Sequence, residues 1–244
     1  ISSTCTSPRS FSGSFCERAS IAAFRCIFSG VGKVMKSKTS FLIFLLSLVL
    51  FACQPEPVPV SGDILLDDDF STGVNGWTTL VNDKGVMGYN AGGFRFYIED
   101  AGLNYWATPD LNFGDTRIEV DSLRFAGPES NRIGVICRHS DDLNYYFFVI
   151  STDGYYAVGK MKDGEQILLE QEAMQYSSAI KTGVAINHLR TDCQGSTLRF
   201  YVNDSPLALV EDFDFTEGDV GLLAGTFEEG GLDVIFDDFV VYQP

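Results

Sequence analysis

The chain has 244 residues, with 17 Lys and Arg against 33 Asp and Glu, and six cysteines. Six of the basic residues but only one acidic residue, Glu17, precede Cys53, so the part from Cys53 onward carries 11 basic and 32 acidic side chains, a formal charge of −21. That balance excludes nucleic acid and anionic lipid surfaces as partners of this part, because both are recognised by basic surfaces; it leaves cations, neutral glycans and basic partners open.

Residues 1–34 are rich in Ser, contain Cys5, Cys16 and Cys26, and show no hydrophobic period. They are expected to be an upstream extension that does not belong to the native protein. From Met35 the order changes. Lys36 and Lys38 precede an apolar run, 41–51, broken only by Ser47, and then comes Leu50-Phe51-Ala52-Cys53. The run is far shorter than the roughly 20 residues of a spanning helix. Charged start, apolar middle and small residue before Cys resemble a bacterial lipoprotein signal peptide, 35–52, which implies Cys53 as the acylated residue. Membrane lipid is then a partner through Cys53, and two or more acyl chains on one Cys anchor stably. The expected location is the bacterial cell envelope, facing the periplasm or the exterior. Residues 53–62, QPEPVPVSG after the Cys, hold three prolines and read as an extended tether.

Residues 63–244 suffice for one domain with a sizeable core. Short alternating or apolar runs recur at 64–70, 93–99, 104–108, 117–125, 132–139, 144–151, 154–162, 166–170, 183–192, 197–203, 207–210, 219–227 and 232–242. Each reads as a strand. Asp153-Gly154, Asp163-Gly164 and Asn203-Asp204 are hairpin connectors, so 144–170 is expected to form a meander. No window has a clean 3.6 period, and 173–180 is the one place for a short helix or an irregular loop. About a dozen strands in this length give an all-β fold, a two-sheet antiparallel jelly-roll sandwich. With Cys53 assigned to lipid, Cys137 and Cys193 remain, and outside the cytoplasm they are expected to form a disulfide. There is no Cys-x-x-Cys or Cys/His cluster, so zinc is not expected. His139 and His188 belong to no recognisable triad.

Several stretches together resemble the concanavalin A-like lectin/glucanase superfamily, and within it the laminin-G-like and 3-keto-disaccharide-hydrolase-like jelly rolls. These are Asp68-Asp-Phe-Ser, Gly134-Val-Ile-Cys-Arg138, Asn144-Tyr-Tyr-Phe-Phe, Asn187-His-Leu-Arg-Thr-Asp-Cys193, Leu198-Arg-Phe-Tyr-Val-Asn203 and Phe236-Asp-Asp-Phe-Val-Val241. The resemblance spans nearly all of 63–242. It implies a concave sheet that binds saccharide, with Arg138 in the place of an Arg that follows a Gly-x-x-x strand in the hydrolase-like members. Laminarinase-type members carry two carboxylates in a Glu-x-Asp-x-(x)-Glu strand. Here Glu119-Val-Asp121 supplies the first half and Ser122, Leu123 and Arg124 follow, so the partner that retaining hydrolysis needs is missing.

Sugars stack their C–H faces on Trp or Tyr, while charged and amide groups take the hydroxyls. Trp106, Glu119, Arg138, Tyr146 and Tyr201 form the candidate ligand group. In related jelly rolls the first and last strands lie side by side, which would let Asp68, Asp69 and Asp238 hold a structural calcium; calcium takes six to eight oxygens. The same carboxylates also suit turns and edge protection. The functional expectation is a surface-anchored lipoprotein whose jelly roll binds an extracellular ligand, carbohydrate first, without catalysis. The alternatives are a glycosidase of the 3-keto-disaccharide-hydrolase-like type and a protein-interaction module.

Overall fold

The computed structural model describes residues 62–244. The expectations for 1–34, for the signal peptide, for Cys53 and for most of the tether lie outside the described residues. What is described is all strand, turn and bend, in two antiparallel sheets.

The first sheet holds β1 (Ile64–Asp68), β2 (Leu80–Asn82), β3 (Gly85–Asn90), β4 (Gly93–Ile98), β6 (Thr116–Ala126), β12 (Ile186–Gln194), β13 (Thr197–Val202), β14 (Ser205–Glu211) and β16 (Leu232–Tyr242). Its order is β14-β13-β12-β6-β16-β4-β3-β2, with β1 also paired to β16. The second sheet holds β5 (Asn104–Ala107), β7 (Asn131–Asp141), β8 (Asn144–Ser151), β9 (Tyr155–Lys162), β10 (Glu165–Leu168), β11 (Gln175–Tyr176) and β15 (Asp219–Thr226). Its order is β10-β9-β8-β7-β15-β5, with β11 also on β9. The expected meander is β8-β9-β10, turning at Asp153-Gly154 and Asp163-Gly164.

Alternation assigns the inner faces. Phe94 and Phe96 on β4, Phe236 and Phe239 on β16, and Phe200 on β13 face Val135 on β7, Phe148 on β8 and Leu222 on β15, all buried. Trp77 closes one end, edge-on to Phe70 and Phe239. The expected disulfide is present: Cys137 on β7 and Cys193 on β12 join the two sheets with an S–S distance of 2.05 Å.

One hairpin has no counterpart among the expected strands. The hairpin β2–β3 had no strand signal, because VNDKGVMGYN alternates poorly and its pairing comes from Met87 packing into the core. Segment 173–180, expected as a short helix or an irregular loop, runs irregularly apart from Gln175 and Tyr176, which pair with β9.

Between β14 and β15 a strap, residues 212–218, crosses against the inner face of the second sheet. Lys160 on β9 holds it by two carboxylates, Asp212 and Asp214, each at 2.5 Å. Tyr146 donates to Asp212 at 2.6 Å and accepts from the Phe215 amide at 3.1 Å. Arg138 donates to the Phe215 carbonyl at 2.7 Å and to Asp115 at 3.1 Å. Strict alternation from Cys137 would send Arg138 outward. Its φ of 52° and the register irregularity between Cys137 and Asp141 turn it to the strap instead.

Candidate functional site

The outer face of the second sheet is where the described domain departs from an ordinary solvent surface. Cross-strand register lays out its rows. Trp106, Leu223, Gly134, Val149 and Ala157 lie in one line from β5 to β9. Beside it run Gly221, Ile136, Phe147, Gly159 and Leu168. Asn104, Gly225 and Arg132 form the row at one end, and Tyr145, Met161 and Gln166 the row at the other. Ile136, Tyr145, Phe147, Val149, Ala157 and Leu223 are buried here as a second apolar cluster, separate from the core.

The result is a groove of about 180 Å³ with an apolar floor and polar groups around it. That is below the range of drug-sized pockets and suits one or two small units rather than a large ligand. Missing side chains help to make it. A Cβ on Gly225 would sit 2.1 Å from the Asn104 Oδ1, and one on Gly159 2.2 Å from the Phe147 ring.

One end is aromatic. Trp106 and Tyr145 lie 6.0 Å apart and tilted by 39°, and the His139 ring stands 5.5 Å from Tyr145. Trp106 Nε1 donates to Asp142 at 3.3 Å. Burial, with Asp142 adding to it, pushes the Tyr145 phenol up to about 12, so it stays protonated at any ordinary pH. The other end is cationic. Arg132 lies over the Phe227 ring at 3.9 Å, and its Nη1 donates to Asn104 Oδ1 at 2.7 Å. Burial lowers its pKa without threatening its charge.

The five residues expected to act together are not together. Trp106 alone lines the groove. Tyr146 is wholly buried and points to the strap, on the opposite face from Tyr145. Arg138 is 2% exposed and committed to the strap and Asp115. Glu119 and Tyr201 stand on the outer face of the first sheet, on either side of Arg190, which lies over the Tyr201 ring at 4.6 Å. That face is laced with polar pairs: Arg95 with Asp233 and Arg117 and Arg190 with Asp192 are ion pairs, and His188 is hydrogen-bonded to Asp121.

The calcium arrangement is not assembled either. β1 does pair with β16, but buried Asp68 accepts from Trp77 Nε1 and the Phe70 amide, both at 2.8 Å. Asp69 accepts from the Ser71 amide at 2.9 Å, and Asp238 sits in a bulge with φ of 53°. Asp237 is raised by burial and then by neighbouring Asp238, Asp69 and Asp121. No group of three or more His, Cys, Asp or Glu among the described residues is placed to hold a metal ion.

Tyr145, Arg132, Asn104, Asp142, Gln166 and Phe227 are among the groove residues that the sequence reading missed. A signal existed. An inter-sheet disulfide makes Cys137 inward; Tyr146, its partner on β8, must then be inward and Tyr145 outward. The same parity puts Arg132 and Gly134 outward.

No protein-family model and no curated protein matches the sequence. Solved structures do. A carbohydrate-binding module from Bacillus subtilis matches with a TM-score of 0.56 and 19% identity, over 68% of this chain and 95% of that one. A Bacillus subtilis protein of unknown function with a galectin-like fold matches at 0.57 and 13%, over 76% and 98%. The Bacillus licheniformis β-glucanase matches at 0.54 and 10%, over 76% and 100%. The fold is therefore the two-sheet jelly roll that these structures share. At these identities the likeness speaks for the fold and not for the activity.

Proposed function

We propose that the domain binds saccharide without catalysis in the groove of the second sheet, on a protein held to a bacterial envelope membrane by lipid on Cys53. The observation that carries the binding reading is the Trp106–Tyr145 aromatic wall beside Arg132, Asn104, Asp142 and Gln166. An apolar floor with a few fixed polar groups suits a ring that is apolar on its faces and hydroxylated at its rim. A fold shared with a carbohydrate-binding module and a β-glucanase supports the same class. Glycoside hydrolysis generally takes two carboxyl groups flanking the bond. The groove lining offers one, Asp142, which favours binding over cleavage.

The test is a glycan array with wild type and Trp106→Ala. Binding that Trp106→Ala loses supports the reading; silence across diverse glycans sinks it. For the anchor, Cys53→Ala should release the protein from membranes, and a variant that stays membrane-bound contradicts lipidation.

A further inference from the structure

Arg132 differs from most of the other arginines. Arg95, Arg117, Arg124, Arg138 and Arg190 each hold a carboxylate. Arg199 holds none but stands on the open face of the first sheet, on β13. Arg132 holds none either, among the described residues, although it is half-buried and lines the groove. In a domain with so large an acidic excess, a half-buried guanidinium without an acid is conspicuous, because even partial desolvation of an uncompensated charge is costly.

The side chain is nevertheless fixed. Nη1 donates to Asn104 Oδ1 at 2.7 Å and to the Thr226 carbonyl at 3.3 Å, which uses both of its hydrogens. The plane rests on Phe227. The Nε–Nη2 edge makes no hydrogen bond to any described residue. That edge is a planar two-donor fork, which matches a carboxylate bidentately. Gly225 makes room for the arrangement, since a Cβ there would strike Asn104.

Asp142 also lines the groove, but its side chain is 76% exposed and it meets the groove beside Tyr145. Ile133, next to Arg132, pairs with Ile150, and Tyr145 lies five residues further along β8, roughly 16 Å at a strand's rise. Asp142 forms no ion pair with Arg132, which leaves the Arg132 charge open to a ligand.

We propose that the groove selects an acidic saccharide, with the carboxylate of a uronic acid residue held by the Nε–Nη2 fork of Arg132 and a neighbouring sugar on Trp106 and Tyr145. This rests on the groove being the saccharide site.

The test uses uronate oligosaccharides (glucuronate-, galacturonate- and mannuronate-containing) paired with their carboxyl-reduced forms, measured by calorimetry at fixed ionic strength. At least one acid should bind tighter than its reduced form by about tenfold or more, the scale of a charge-assisted pair. Arg132→Gln should remove that ratio, and Arg132→Lys should remove most of it, since it keeps charge but not the fork. Asn104→Ala, which frees Arg132 without deleting it, should weaken the acid more than the reduced form. Thermal melts confirm that each variant folds. Equal affinity for all acid–neutral pairs, or a ratio that survives Arg132→Gln in a folded variant, overturns the proposal. If Trp106-dependent binding of neutral glycans persists, only the acidic preference has failed; if no glycan binds through Trp106, the groove reading itself has failed.

Discussion

Removing the Cys137–Cys193 bond is expected to cost this domain about 4 kcal/mol. The bond closes a loop with a sequence separation of 56 residues, and the chain-entropy relation gives roughly 14 cal/mol/K for that length, or ~4 kcal/mol at 25 °C. Typical total stabilities are about 5–15 kcal/mol, so this is a large share of the whole. At about 2–4 °C per kcal/mol for a domain of this size, the midpoint should fall by roughly 8–16 °C. Both cysteines are fully buried, which makes Cys137→Ala/Cys193→Ala lose some packing as well. Reduced wild-type protein separates the two effects. Urea unfolding of oxidised, reduced and double-variant protein is the assay. The urea dependence should steepen without the bond, because the unfolded chain then exposes more surface. A loss below about 1 kcal/mol on full reduction would refute the loop-closure reasoning.

Three further outcomes follow from the same geometry. Lys160→Met leaves Asp212 and Asp214 facing one another beside Tyr146, and should cost about 3 kcal/mol in a denaturant titration at neutral pH. Burial pushes Asp212 up, but Lys160 and Tyr146 outweigh it, and Lys160 and Lys162 lower Asp214. Both folded values thus lie below the ordinary 3.8, so their stabilisation is complete above that value and fades as pH falls through the folded ones. The wild-type advantage over Lys160→Met should accordingly shrink in strong acid; a gap unchanged at pH 2 contradicts the pairing. Arg138→Met should lower stability by about 1–3 kcal/mol, by stranding the Phe215 carbonyl, and leave glycan affinity unchanged; a selective loss of binding would return Arg138 to the ligand site. Gly225→Val should displace Asn104, cost about 1–3 kcal/mol through overpacking, and abolish binding of any saccharide that needs Arg132.

Most of the fold was legible in the sequence. Thirteen predicted runs correspond to strands, and the boundaries that moved did so by a few residues at turns, where local hydrogen bonds rather than periodicity decide. The short hairpin at 80–90 escaped because its pairing is set by tertiary packing of Met87, not by alternation. The site was far less legible. Residue type suggested Trp106, and it does line the groove. Type also suggested Arg138 and Tyr146, which prove to be bound into the strap network. That network depends on Asp212 and Asp214, more than fifty residues from Lys160, and no local pattern reveals such a contact. The backbone irregularity at Arg138 inverts its face, which strict alternation cannot anticipate. Glu119 and Tyr201 are apart from the groove for a simpler reason: both are outward, but on the first sheet. Parity sorts residues into inner and outer faces, and only strand order tells which outer face they share.

The most direct test of the groove as the ligand site uses the chain's own two tryptophans, Trp77 and Trp106. Trp77 is sealed in the core and bonded to Asp68, while Trp106 lines the groove. Titration of the protein with a bound saccharide, followed by intrinsic fluorescence, should give a saturable change that Trp77→Phe retains and Trp106→Phe removes. A change that survives in Trp106→Phe, or saturable binding that leaves the Trp106 emission untouched, places the ligand elsewhere and contradicts the account.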